Sequence, residues 1–272
     1  MQCGPMSLKK WIVNREQTGN SCFSRQEVAN AFPELSANAI SAALSRFNAN
    51  RLVQSVHRGY YCVIPAHYAL VGRLPPVYYI DRLMEWIGRP YYLALHSAAS
   101  FFGAQHQKVM ITQVMVQMPH ISTSSKKNPD IDWLYRQRIP SEFLLRTNGE
   151  NGVIAYSNAE LTAVDLVRYA NKAGGLSAVA TVLAELREST DFTGASEGVF
   201  KTADVTDIQR LGYIFESALG DKAQAEIIYS ELVKMNVTLR TVRLDPSCEG
   251  PAISVNERWR LRVNTEIELD EI

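Results

Sequence analysis

Apolar residues between positions 23 and 64 follow first a helical pattern and then an alternating one. Ser24 and Glu27 form a capping box, which predicts that a short helix begins there with Val28 and Phe32 on its inner face. Pro33 should end that helix, because proline cannot continue a helical hydrogen-bond ladder.

A second helix is predicted from about Ala37 to Ala49, with Ser36 as its N-cap. Its apolar residues fall on one face at i, i+4 and i+7 spacing: Ile40, Ala43, Leu44 and Phe47. The opposite face carries small or neutral polar residues with an arginine beside them: Asn38, Ser41, Ala42, Ser45 and Arg46. Short donors and acceptors on a free helix face suit the major groove of DNA.

Two β-prone runs follow, Leu52 to Val56 and Tyr60 to Ile64, and His57-Arg58-Gly59 joins them as a tight hairpin. Two helices followed by a hairpin predict a winged helix-turn-helix, in which Arg58 at the wing tip would meet phosphate or the minor groove. Units of this kind also serve as protein-interaction modules, and the pattern alone leaves that alternative open.

Charge favours nucleic acid as the partner of this segment. The whole chain is neutral, but residues 1–70 carry seven lysines and arginines against three glutamates, a net charge of +4. A basic head on a mildly acidic body indicates that DNA contact is confined to the head. The predicted operator contacts are Lys9, Lys10, Arg25, Gln26, Ser36, Asn38, Ser41, Ser45, Arg46, Arg58 and Tyr60.

Length and composition are typical of a folded protein of two domains. The chain has 272 residues, of which 46% are hydrophobic, and no apolar run of membrane-spanning length. Its four cysteines, Cys3, Cys22, Cys62 and Cys248, form no C-x-x-C pair. We therefore expect no metal site and no disulfide framework, and a cytoplasmic location without membrane contact. Residues 1–5, ahead of Met6, are expected to be a dispensable leader.

The predicted boundary between the domains lies near Pro65 to Pro76, where prolines interrupt regular structure. Residues 1–70 are the predicted winged-helix domain, and residues 77–272 are a larger mixed domain. Helices are predicted there over residues 83–87, 92–102, 161–170, 176–186, 205–219 and 223–235, and strands over 109–118, 133–139, 153–156, 238–244 and 258–263. The sequence therefore predicts an α/β (α+β) fold.

Motifs of catalysis or cofactor binding are not evident. The sequence has no H-E-x-x-H, no phosphate-cradling G-x-x-x-x-G-K and no G-x-S-x-G. His96 and His106 could be metal ligands, but no cysteine or carboxylate cluster accompanies them, so ordinary hydrogen-bonded histidines are favoured. We expect no catalytic residue, metal or cofactor.

A possible basic strip occurs near the C-terminus, where Arg258, Arg260 and Arg262 alternate with apolar residues. One interpretation is a surface that touches nucleic acid. The other, which we favour, is internal neutralisation of these charges. Glu266, Glu268 and Asp270 also stand at alternate positions, and a hairpin would set each of them opposite an arginine.

Several stretches, taken in order, resemble the AbiEi family, the antitoxins of type IV abortive-infection toxin–antitoxin systems. In the first half they are His57-Arg58-Gly59-Tyr60-Tyr61 with Ile64-Pro65, Tyr92-Leu93-Ala94-Leu95-His96-Ser97-Ala98-Ala99, and Gly103-Ala104-Gln105-His106-Gln107. In the second half they are Asn158-Ala159-Glu160-Leu161-Thr162-Ala163-Val164-Asp165-Leu166, Gly174-Gly175-Leu176, Gln209-Arg210-Leu211-Gly212-Tyr213, Leu244-Asp245-Pro246-Ser247 and Asn256-Glu257-Arg258-Trp259-Arg260. The likeness covers nearly the whole chain, and its specificity lies in the order and spacing of the motifs.

The resemblance implies a winged-helix domain that represses its own operon by binding operator DNA with inverted repeats, and a C-terminal domain that counters a nucleotidyltransferase toxin. It also implies that antitoxin and toxin form no stable complex. A different class stays open, a ligand-responsive transcription factor with a small-molecule site in its C-terminal domain. A nucleic-acid-processing enzyme is disfavoured, because the sequence offers no metal or carboxylate–lysine cluster.

Overall fold

The computed structural model of the chain describes residues 6–104, 110–121 and 129–269, with residues 195–197 described by their backbone alone. The chain divides into two compact units. Unit 1 comprises Met1–Tyr91, Met115–Ile139 and Arg146–Ala155, and unit 2 comprises Tyr92–Val114, Pro140–Leu145 and Tyr156–Ile272. The sequence boundary near Pro65 to Pro76 does not coincide with a boundary of these units, and the assignment of separate functions to residues 1–70 and 77–272 stays a prediction.

The elements of the N-terminal part of unit 1 include the two predicted helices and the predicted hairpin. They are α1 (Leu8–Gln17), β1 (Cys22–Ser24), α2 (Arg25–Ala31), α3 (Ala37–Ala49), β2 (Val53–His57) and β3 (Tyr60–Val63). The capping box of Ser24 and Glu27 is present, and the Ser36 side chain caps α3 as predicted. The strands form an antiparallel sheet of order β1-β3-β2. Strand β1 was not predicted, because three residues are too few to show an alternating pattern.

A single apolar cluster holds these elements together. Its fully or almost fully buried members come from both helices and strands: Ile12, Phe23, Val28, Phe32, Ile40, Leu44, Val53 and Val63. The α3 stripe predicted from its spacing is therefore the face that packs inward. Burying a side chain of this size contributes roughly 1.5–3 kcal/mol, so the cluster is sufficient to fix the orientation of α3.

Between residues 76 and 157 the two predicted helices have different bounds, and a strand over residues 144–149 was not predicted. Helix α4 (Pro76–Ile87) starts seven residues earlier than the predicted helix, with proline at its first position. The helix predicted over residues 92–102 is replaced at its start by strand β4 (Tyr91–Leu93), and within it Leu95–Ala99 forms helix α5, followed by a 3-10 turn at Ser100–Phe102. The pattern of this stretch is continuously apolar, which does not distinguish a buried strand from a buried helix.

A five-stranded sheet contains β4 together with β5 (Thr112–Gln117), β6 (Ile131–Arg136), β7 (Leu144–Gly149) and β8 (Gly152–Ser157). Its strand order is β6-β5-β4-β8-β7, and β4 runs parallel to β8, where Leu93 is opposite Tyr156. Residues 114–116 of β5 are fully buried, as expected for an inner strand of this kind.

The remainder of unit 2 is mainly helical. Its elements are α6 (Ala159–Arg168), α7 (Leu176–Leu186), α8 (Val205–Tyr213), α9 (Lys222–Lys234), β9 (Val242–Arg243), β10 (Ser254–Asn256) and β11 (Leu261–Val263). The predicted helices are present, with a π-helical turn, Ile214–Ala218, after α8. The prediction of a mixed α/β (α+β) fold is confirmed. No helix among the described residues is long and apolar enough to cross a membrane.

One expectation about the cysteines is wrong. Cys22 and Cys62 lie directly opposite each other on β1 and β3, and their sulfur atoms are joined as a disulfide. The two residues are 40 positions apart in sequence, so only the pairing of β1 with β3 could reveal them as partners. Cys248 is a free cysteine.

Candidate nucleic-acid interface

The outer face of α3 carries side chains that the protein itself does not use. Asn38, Ala42, Ser45 and Arg46 are exposed, while Ile40 is buried on the opposite face. Within the part of the chain that the structure describes, neither Asn38 nor Ser45 makes a side-chain hydrogen bond. Their donors and acceptors are therefore available to a ligand laid along this face.

Three other predicted contacts are partly engaged. The Ser36 hydroxyl oxygen accepts a hydrogen bond from the Ala39 amide at 3.2 Å, although Ser36 is exposed and its O–H can still donate. The Ser41 hydroxyl donates to the Ala37 carbonyl at 2.9 Å, and Ser41 is half-buried, so it can offer only an acceptor. Gln26 is exposed, and its amide donates to a side chain one turn further along α2.

The tip of the β2–β3 hairpin presents one cation. Gly59 has φ +82°, a conformation that L side chains rarely adopt, and nothing lies near the position of a Cβ atom there. This tight reversal leaves Arg58 exposed at the tip. The strands are held from inside by Val53 and Val56, both fully buried, so the Arg58 guanidinium is not needed for their packing.

Tyr60 does not lie where a DNA contact requires it. Its side chain is only 5% exposed, its ring stacks on Trp86 with centroids 4.8 Å apart, and its hydroxyl donates to the Arg82 carbonyl at 3.2 Å. Burial raises the pKa of Tyr60 to about 12. Because β3 alternates about the sheet, this residue faces α4 rather than solvent, and we omit it from the interface.

Positive charge dominates the surface of the N-terminal part of unit 1. Its exposed lysines and arginines are Lys9, Lys10, Arg25, Arg46, Arg51 and Arg58. Arg15 is different, because it forms an ion pair with Glu27 at 3.0 Å and contributes no net charge. Arg51, two positions after the last residue of α3, is an exposed cation that the predicted set lacks, although its position near the helix end would have indicated it.

Two hydrogen bonds fix the candidate interface internally. The Arg25 guanidinium donates to the Ala37 carbonyl at 3.1 Å and ties the start of α2 to the start of α3. The Asn48 side-chain oxygen accepts from the Ser55 amide at 2.9 Å and ties the end of α3 to β2. The exposed face of α3 and the hairpin are thus held in one geometry before any ligand binds.

The arginines near the C-terminus are largely neutralised by nearby glutamates. Arg258 forms ion pairs with Glu216 and Glu226, and the hydrogen bond with Glu226 raises the pKa of Arg258 above its ordinary value. Arg260 pairs with Glu257 at 2.9 Å. These contacts support internal neutralisation over a basic strip on nucleic acid.

The neutralising residues are nevertheless different from those predicted. Strand β11 begins only at Leu261, and Arg260 has φ +50°, so the strand alternation assumed for residues 258–263 does not hold. Glu266 and Glu268 are exposed, and Asp270 lies outside the described residues. Arg262 is exposed on β11.

His96 belongs to no metal centre among the described residues. An imidazole nitrogen of His96 lies 3.1 Å from the Ala173 carbonyl oxygen, a hydrogen bond within unit 2, while His106 falls outside the described residues. Across the described ranges, no group of three histidine, cysteine or acidic residues is arranged to hold a metal ion.

A cavity with a volume of about 380 Å³ lies in unit 2. Arg168, Asn171, Arg210 and Asp245 are among its lining residues, and the first turn of α7 opens onto it. Both arginines already have partners, since Arg168 pairs with Asp204 and Arg210 donates to the Leu244 carbonyl. The cavity is large enough for a small molecule, but its two arginines already bind other groups of the protein.

Comparisons with known proteins bear on both parts of the chain. Residues 92–217, just under half of the sequence, match the family model of the AbiEi antitoxin C-terminal domain. The fold is similar to the crystal structure of the RV2827C protein from Mycobacterium tuberculosis, with a TM-score of 0.65 and 11% sequence identity over 94% of this chain and 92% of that chain. At that identity the likeness shows the fold alone. No curated protein matches the chain.

Proposed function

We propose that the protein is a type IV antitoxin that also represses its own operon, because residues 92–217 match the family model of the AbiEi antitoxin C-terminal domain. The family match supports the antitoxin role of the C-terminal domain. In this proposal the protein acts in the cytoplasm, has no catalytic site, and opposes a nucleotidyltransferase toxin without forming a stable complex with it.

The DNA-binding half of the proposal rests on one observation, the exposed and unpartnered polar face of α3. A helix that buries Ile40 and Leu44 leaves Asn38 and Ser45 pointing outward. Side chains of these types pair with base edges in the major groove, and asparagine can bind adenine through two hydrogen bonds. We therefore propose α3 as the reading helix of a winged helix-turn-helix that binds operator DNA.

Charge supports the same assignment. Arg25 and Arg46 are exposed on the helices that would cross the DNA backbone, and Arg58 is exposed on the wing. Each phosphate contact releases condensed counterions, so these residues would supply affinity without sequence preference. Asn38 and Ser45 would then supply the preference for the operator sequence.

The proposal is tested in cells with the full-length chain. Asn38→Ala/Ser45→Ala should abolish repression of a reporter placed under the protein's own promoter, while cells that express the nucleotidyltransferase toxin that the proposal requires are still rescued. Gln137→Ala, an exposed amide outside the interface, is the matched control and should retain both activities. Loss of rescue together with repression, with normal protein levels, would show that the two activities are not separate.

A second candidate is favoured by the cavity of unit 2, namely a transcription factor that responds to a small molecule. The cavity volume of about 380 Å³ falls within the range of ligand sites. The two candidates give opposite results in one comparison. An antitoxin rescues cells from the neighbouring toxin gene, whereas a ligand-responsive regulator changes operator affinity with a metabolite and gives no rescue.

A further inference from the structure

The two cysteines of the N-terminal sheet occupy a position suited to reversible bond formation. Cys22 and Cys62 are paired across β1 and β3, and the Val63 amide donates to the Ser21 carbonyl at 2.8 Å. That bond pattern makes them a non-hydrogen-bonded pair, in which side chains approach each other most closely. Their Cα atoms are 4.0 Å apart, so no backbone movement is needed to bring the sulfurs together.

The two cysteines differ in their exposure to solvent. Cys22 is 8% exposed and lines a cavity of about 180 Å³ together with Glu27, Arg82 and Trp86. Cys62 is fully buried. A small reagent that enters this cavity therefore reaches Cys22, whereas Cys62 does not line the cavity.

We propose that Cys22 and Cys62 form a thiol–disulfide exchange site, in which Cys22 is the attacking thiol and Cys62 the resolving thiol. The co-reactant is a low-molecular-weight disulfide, RSSR. The Cys22 thiolate attacks one sulfur of RSSR, the S–S bond of RSSR breaks, and one RS⁻ leaves. The Cys62 thiolate then attacks the Cys22 sulfur and displaces the second RS⁻. The protein loses two electrons, RSSR gains them, and the two thiol protons end on two released RSH molecules.

The disulfide encloses the segment that forms the proposed DNA-binding surface, which is called here the reading unit. The chain between Cys22 and Cys62 contains α2, α3 and the hairpin tip with Arg58. Oxidation therefore closes the whole proposed reading unit into a covalent ring, which restricts its unfolded states. In a reducing cytoplasm such bonds are transient and redox-sensing, so the site would report oxidising conditions. The effect on operator binding rests on the proposed function, whereas the exchange chemistry does not.

The chemistry is tested by trapping, in a background that carries Cys3→Ser and Cys248→Ser. Folded protein is treated with bis(2-hydroxyethyl) disulfide, and the products are identified by mass spectrometry. The pair left intact should give the internal disulfide without an adduct. Cys62→Ser should accumulate a mixed disulfide on Cys22, because the resolving thiol is missing. Cys22→Ser should gain no adduct until denaturant exposes Cys62.

Two results would overturn the proposal. One is a folded protein that keeps both thiols under a reagent excess that modifies the denatured chain. The other is an adduct on Cys62 in folded Cys22→Ser, which would remove the asymmetry. If serine at position 62 prevents folding, judged by circular dichroism, Cys62→Ala keeps the trapping experiment valid because it leaves no polar group buried.

Stability and DNA binding give independent measurements. The melting temperature of the protein should rise by about 5 °C or more on oxidation. The melting temperature of Cys22→Ala/Cys62→Ala should be the same under oxidising and reducing conditions. Operator affinity of the oxidised protein should persist at temperatures at which the reduced protein has lost it. A protein that exchanges thiols as described but never binds operator DNA would contradict the proposed function and leave the exchange site intact.

Discussion

Helices α3 and α6 carry similar polar residues and use them in opposite ways. On α3, Asn38 and Ser45 are exposed and have no partner among the residues that the structure describes. On α6, every residue from Ala159 to Val167 is buried, including Thr162 and Asp165. The same kinds of side chain are thus available to a ligand in one helix and bound inside the protein in the other.

The polar residues of α6 are satisfied by neighbours in unit 2. The Tyr92 hydroxyl donates to Asp165 at 2.6 Å, and the hydroxyl oxygens of Ser157 and Thr162 lie 2.7 Å apart. The Asp191 amide donates to Glu160 at 2.9 Å. Because a buried polar group without a partner costs about 1–3 kcal/mol, these pairs are structural requirements. The comparison indicates that unused polar groups, and not polar groups as such, mark the candidate interface.

The largest expected effect is a loss of stability on replacing a buried polar residue of α6. Asp165→Ala removes the acceptor of the Tyr92 hydroxyl and leaves a cavity, so the free energy of unfolding should fall by about 3 kcal/mol. Chemical denaturation of the full-length protein measures it. Tyr92→Phe removes the other partner, and the loss in the double variant should be smaller than the sum of the single losses. Strict additivity would mean that the two side chains do not interact.

On the exposed side, Asn38→Ala should leave the free energy of unfolding nearly unchanged but weaken operator binding. Each well-made base contact contributes about 1–3 kcal/mol of discrimination, so affinity for the operator should fall much more than affinity for random duplex DNA. Gel shifts at one fixed salt concentration measure both, with Gln137→Ala as control. Equal losses on the two DNAs would remove α3 from the role of reading helix.

Arg58→Ala should have a smaller effect without sequence preference. The guanidinium is exposed, so its removal should not lower the melting temperature. On DNA the loss of one phosphate contact should make the log–log salt dependence of binding shallower by about one unit. Lys201→Ala, an exposed cation of unit 2, is the matched control. An unchanged salt slope would place the wing off the DNA and favour a protein-interaction module.

The smallest effect concerns a buried carboxyl group. Burial raises the pKa of Asp207, although Arg168 and Arg210 act in the opposite direction. A carboxyl whose folded pKa is raised contributes most stability below its unfolded pKa and loses that contribution as pH rises through the folded value. Stability of the wild type relative to Asp207→Asn should therefore decrease between acidic and neutral pH. Denaturation at several pH values measures it, and an increase over that range would contradict the sign.

Some of the structure follows from local sequence alone. The capping box at Ser24, the N-cap at Ser36 and the apolar spacing within Ala37–Ala49 predicted α2 and α3, because a cap and a helical stripe act within one or two turns. The hairpin around Gly59 was predicted for the same reason. Which face of α3 is exposed also follows, since one face alone can join a core.

Contacts distant in sequence were decided by the tertiary structure. Tyr60 was predicted as a DNA contact from its place beside the hairpin tip, but packing against Trp86 buries it. Arg258 reads as one member of a strip, yet the π-helical turn after α8 brings Glu216 to it. Neither partner is close in sequence, so no local pattern encodes them.

The sequence by itself determined the helices and hairpin of the N-terminal part, its net positive charge and the resemblance to AbiEi antitoxins. The tertiary structure decided which polar side chains are left without partners, and it brought Cys22 to Cys62. The physical reason is the range of the interactions involved. Caps, turns and amphipathic spacing act between near neighbours in the chain, whereas burial and strand pairing depend on residues that only the folded chain brings together.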